Sequence, residues 1–157
     1  MKLSGIVVAF LFLALPAVAQ NPRVPVVVEA SVNDRDQVGR AVVFEVREVL
    51  GRSSIFQRVE GFNYRKPRND GDIVPVIRLI LASLPTPDGA GTAIAQTAVY
   101  DAPAMPVGGL FVATSVHTCG SSKVVDCARS ILSDLDQAMA NLKKDHEDWW
   151  NRLTVRS

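Results

Sequence analysis

Residues Ile73–Leu84, IVPVIRLILASL, form the longest apolar run of the chain beyond its first twenty residues. Their β-branched content, with turn formers at both ends (Asp70-Gly71-Asp72 and Pro85-Thr86-Pro87-Asp88-Gly89), predicts a strand rather than a helix. Alternate positions put Ile73, Pro75, Ile77, Leu79 and Leu81 on one side and Val74, Val76, Arg78, Ile80 and Ala82 on the other. Both sides are mostly apolar, which is the pattern of a strand covered on both faces.

Downstream, the Pro/Gly-rich turn leads into Thr92–Tyr100, TAIAQTAVY, which reads as the hairpin partner of this strand. Residues 101–109 carry two prolines and two glycines and read as loop, and Leu110–Thr118, LFVATSVHT, as the last strand. A final helix opens over residues 121–126. Its apolar stripe is Cys127, Ile131, Leu135, Ala138, Met139 and Leu142, and the pattern runs on to Trp149. One helix from Lys123 to Trp150 would be about 40 Å long, so the part after Leu142 is expected to protrude, fray or dock elsewhere.

Upstream, Val24–Val32, VPVVVEASV, reads as the first strand. Asp34 followed by Gln37 has capping-box spacing and predicts a helix over Arg35–Leu50. Val38, Val42, Val46, Val49 and Leu50 form its stripe, broadened by Ala41 and Phe44, and Gly51 suits the left-handed position after the end. Ile55–Glu60 is a short strand, and residues 61–72 read as a loop. The resulting order, β-α-β-β-β-β-α, predicts an α+β two-layer sandwich: a mostly antiparallel sheet with two helices on one face. Two helices cover only one face, whereas Ile73–Leu84 is apolar on both. Either the Pro-rich loops seal the second face, or another chain does.

Residues 1–19 are expected to be an export signal and not part of the fold. Lys2 supplies a positive start and Ile6–Leu15 an apolar segment too short to span a bilayer. Ala17-Val18-Ala19 supplies the small residues at a cleavage site. No later segment has the length and apolarity of a membrane span. Removing 19 of 157 residues leaves 138, enough for one α+β domain over residues 20–157. The chain's 17 basic and 16 acidic residues become sixteen of each, because the signal takes one Lys and no acid. A neutral chain gives no reason to expect nucleic acid as a partner. Location in the periplasm, or full secretion, follows.

Cys119 and Cys127 are the only cysteines. In an oxidising compartment an even pair reads as a disulfide, worth about 2–3 kcal/mol for so short a loop. The alternative is a Cys119 nucleophile with His117 as its base, since positions two apart share a strand face. No nucleophile motif is present. Asn69-Asp70-Gly71-Asp72 lacks the acids of a calcium loop. His117 and His146 lie on separate elements, with no ligand cluster for zinc. We therefore expect no catalytic residue, metal or cofactor, and no enzymatic activity.

Two places stand out as partner-binding candidates. The loop residues Phe62, Tyr64, Arg65, Lys66 and Arg68 combine aromatics with bases, suited to an acidic protein or an anionic envelope component. Trp149 and Trp150 are about 100° apart on a helix, so at least one should be left for a partner or a membrane interface.

The run Val43–Glu60, VFEVREVLGRSSIFQRVE, resembles a pattern in exported bacterial assembly proteins, a helix followed by Ser-x-x-Phe and a short strand. It is similar to the amino-terminal domain of TolB, to related outer-membrane assembly factors and to peptidoglycan-synthase activators. The resemblance implies a non-enzymatic protein-binding module of the envelope and carries over no functional residue. The expectation is an exported module that docks a protein partner or a second copy of itself. The alternative is a periplasmic inhibitor or immunity protein that blocks a toxin or hydrolase with the loop at 61–72.

Overall fold

The computed structural model describes residues 23–59, 75–102 and 109–154. The expected export signal and the aromatic-basic loop bearing Phe62, Tyr64, Arg65, Lys66 and Arg68 lie outside these residues.

Strand β1 (Val24–Ser31) runs into helix α1 (Gln37–Gly51). The helix starts later than the capping-box reading. The N-cap is Asp36, not Asp34, and its carboxylate accepts from the Gly39 amide at 2.7 Å. A carboxylate in that place satisfies one of the amides that a helix start leaves without a partner. Val38, Val42, Val43, Val46 and Leu50 are buried, whereas Phe44 and Ala41 point to solvent. At about 100° per residue, the buried set centres on the Val42–Val46 side. Phe44 lies opposite it, so the stripe widens through Val43 instead. Gly51 belongs to the last turn, and the helix ends on Arg52 in right-handed geometry, without the expected left-handed glycine.

The remaining strands are β2 (Phe56–Arg58), β3 (Val76–Pro85), β4 (Gly91–Asp101) and β5 (Leu110–Gly120). They form one sheet in the order β2-β1-β3-β4-β5. Strand β1 is parallel to both β2 and β3, and β3-β4-β5 is an antiparallel meander. The expected α+β sandwich is therefore the fold, with β3 at the centre of the sheet.

The register explains which residues meet. Val26, Ile77 and Tyr100 line up across the sheet, as do Val28, Leu79 and Ala98, and then Ala30, Leu81 and Gln96. These side chains face α1 and helix α2 (Val124–Asp145), which pack against each other and against β3, β4 and β5 between them. The stripe Cys127, Ile131, Leu135, Ala138, Met139 and Leu142 is buried as its spacing predicts. A short 3-10 turn, Ser121–Lys123, precedes α2.

The long final helix is broken. His146 caps α2, and a separate helix α3 (Glu147–Thr154) folds back onto α2 and β1. Leu153 is buried, and Trp149 stacks on Tyr100 with ring centroids 5.8 Å apart. Of the three outcomes expected for the segment after Leu142, protruding, fraying or docking, the structure shows docking, as a separate helix held against the chain's own α2 and β1. The break returns Trp149 to the core, which a straight helix would carry past the domain.

Candidate docking surface

Cys119 closes β5 onto α2 through a disulfide with Cys127, with Cα atoms 5.7 Å apart. The sulfur is committed to that bond, so His117 has no thiol to activate. His117 sits instead in a polar cluster between β5 and α2. Its Nε2 lies 3.0 Å from the Ser115 hydroxyl, 3.2 Å from Gln96 Oε1 and 3.3 Å from Asp134 Oδ2. A serine, a histidine and an aspartate are thus together, a grouping that their sequence positions do not advertise. All three partners crowd the same nitrogen, however. A nucleophile relay needs the acid on one ring nitrogen and the hydroxyl on the other. The cluster is arranged to satisfy the buried Gln96 amide and to tie strand to helix.

A second buried polar link lies close by, between the start of α1 and the start of β4. Asp36 is 1% exposed, and Thr92 of β4 donates to its Oδ2 at 2.7 Å. Burial pushes the Asp36 carboxyl up. The hydrogen bonds from Thr92 and the Gly39 amide, aided by the charge of Arg40, outweigh that and hold it below the usual carboxylate range.

The face of the sheet away from α1 and α2 carries a charged triad and an apolar patch. Arg78 of β3 reaches Glu29 of β1 with both forks, at 2.7 and 2.8 Å, and Asp101 of β4 at 3.5 Å. This fork-to-carboxylate geometry is the strong kind, and it ties the three central strands together. Around the start of β3 this face is closed, with Val76 and Val99 buried. Beyond the triad it opens. Ala82, Ala95 and Val116 align across β3, β4 and β5, with Leu84 beside them. Leu84 is 70% exposed and Val116 73%, whereas Phe111, 61% exposed, lies apart from them beside Val99 in the row of Arg78. No helix among the described residues lies over them. Isolated exposed apolar residues are ordinary, but Ala82, Leu84, Ala95 and Val116 adjoin one another on one face, which makes them a candidate interaction site.

Trp149 stacks between Tyr100 and His146, the latter at 4.3 Å between ring centroids. Trp150 packs against the core as well, with Lys143 over its ring at 5.6 Å. Both are half-buried where α3 meets the core, and each keeps part of its surface in solvent. A cleft of about 460 Å³ at the β2 edge is lined by Arg23, Arg52, Arg58 and Glu48 together with Phe56 and Gln57. Glu48 bridges to Arg52 at 3.3 Å and to Arg58 at 4.0 Å. Among the described residues no group of three metal-ligating side chains occurs, and no helix is long and apolar enough to cross a membrane.

No protein-family model matches the chain, and no curated protein sequence matches it. Among solved structures it is similar to a dodecamer of a PelC point variant from Paraburkholderia phytofirmans, at 17% identity over 75% of this chain and 90% of that one, with a TM-score of 0.43.

Proposed function

We propose that the chain is an exported, non-enzymatic binding module of the bacterial envelope that docks a protein partner on the helix-free face of its sheet. The observation that carries this reading is the row Ala82, Ala95 and Val116 with Leu84, apolar and turned to solvent next to a sealed, ion-paired half of the same face. Burying such side chains is worth roughly 25 cal/mol per Å² of apolar area, and an apolar patch bordered by charge suits a protein surface. The Cys119–Cys127 disulfide fits an oxidising compartment, as does the export signal read at residues 1–19. The local resemblance to exported assembly modules points the same way.

Site-specific photocrosslinking in living cells tests it. A photoreactive residue at Leu84 or Ala95 is expected to give discrete adducts with another protein. The same residue at Arg129, on the solvent side of α2, is expected to give none. Adducts at Leu84 and Ala95 no stronger than at Arg129 would count against docking on this face.

A further inference from the structure

We propose that the outer edge of β5 pairs with β5 of a second copy of this chain, antiparallel across a two-fold axis, joining the two sheets into one. Strand β5 is the last in the sheet, and among the described residues nothing pairs with its outer edge. A free edge presents a row of unpaired backbone donors and acceptors, and folded proteins guard such edges with charges, prolines, bulges or short strands. Strand β5 is eleven residues long, and LFVATSVHTCG contains no Lys, Arg, Asp, Glu or Pro. Its one irregularity is at Val112, where the pairing steps from Ala98↔Ala113 to Val99↔Phe111. The stretch 113–120 beyond the bulge is regular, and among the described residues it carries none of these guards.

The lengths of the two sheet edges select the partner. The opposite edge, β2, has three residues, one of them Arg58. Head-to-tail pairing of β5 onto another copy's β2 could match only those three. Pairing of β5 with β5 uses the whole regular stretch, with on the order of eight backbone hydrogen bonds, and it closes as a dimer. It is also self-compatible. Opposed residues in an antiparallel pair share a face, so the axis must pass beside a residue that meets its own copy. Ser115, His117 and Cys119 of both chains then stay on the helix side, and Thr114, Val116 and Thr118 on the open side. No like charges meet, and hydroxyl and β-branched side chains are good cross-strand neighbours. Edge pairing leaves the sheet face uncovered, so this inference stands whether or not a partner docks there.

Sedimentation equilibrium on the full chain, with amide exchange at low and high concentration, tests it. We expect twice the monomer mass at concentrations of about 100 μM, with concentration-dependent protection at 113–120 and none at β2. Val116→Lys and Thr114→Lys place charges beside the axis from exposed positions and should weaken association about tenfold or more, while melting as the parent does in dilute solution. Leu84→Lys, on the same face but in β3, should leave the dimer intact. A monomer throughout, protection that grows outside β5, or a dimer lost equally with Leu84→Lys would overturn the inference.

Discussion

Gly39→Ala is expected to destabilise the protein by about 2–3 kcal/mol, although glycine to alanine inside a helix normally stabilises by about 1 kcal/mol. The sign reverses because a Cβ at Gly39 would fall 2.3 Å from Asp36 Oδ2 and 2.6 Å from the Ser83 hydroxyl. Neither neighbour is a flexible tail. Asp36 is held by the Gly39 amide on one side and by Thr92 on the other. Moving the carboxylate forfeits a helix cap and a charge-assisted hydrogen bond, each worth about 1–2 kcal/mol. Urea denaturation of the two proteins measures the difference. The same carboxylate sets an acid limit. Its pKa is lower in the fold than in the unfolded chain, so its contribution is complete above about pH 4 and is lost as pH falls through the folded value. Asp36→Asn should be less stable at neutral pH and should lack this part of the acid-side decline.

Tyr100→Ala is expected to cost about 4 kcal/mol and to release α3. Tyr100 is fully buried on the helix side of β4, where truncation of a large aromatic removes both transfer energy and packing. Its ring is also the platform on which Trp149 stacks. Both tryptophans of the chain lie in α3, so tryptophan emission reports on this helix. In Tyr100→Ala it should shift to the red under native conditions. Trp149→Ala should undock α3 at a smaller cost in global stability, because it leaves the sheet core in place.

The periodic parts of this fold were legible in the sequence. The α2 stripe and the β3–β4–β5 meander follow from spacing that any neighbour would satisfy. Asp34 and Asp36 both precede the helix, so local spacing does not single out the cap, and only Thr92, 56 positions from Asp36, decides between them. The docked α3 was unreadable for a similar reason. The helical pattern continues through His146, and the ring that draws Trp149 back lies on β4. On β3, both alternations look apolar, yet the side with Ile77, Leu79 and Leu81 goes under the helices and the side with Ala82 and Leu84 does not. Arg78 marked the difference, but its partners Glu29 and Asp101 come from two other strands. The His117 cluster depends likewise on the registers of β4, β5 and α2.

The claim that the rest depends on is that one face of this sheet reaches solvent in the isolated chain. Hydroxyl-radical footprinting of dilute protein tests it most directly. Corrected for the intrinsic reactivity of each side chain, Leu84, Phe111 and Val116 should be as open to modification as Phe44 on the outside of α1, while Ile77, Leu79 and Leu81 stay protected. Protection of Leu84 and Val116 equal to that of Leu79 would mean that the chain seals both faces itself, and would contradict the account.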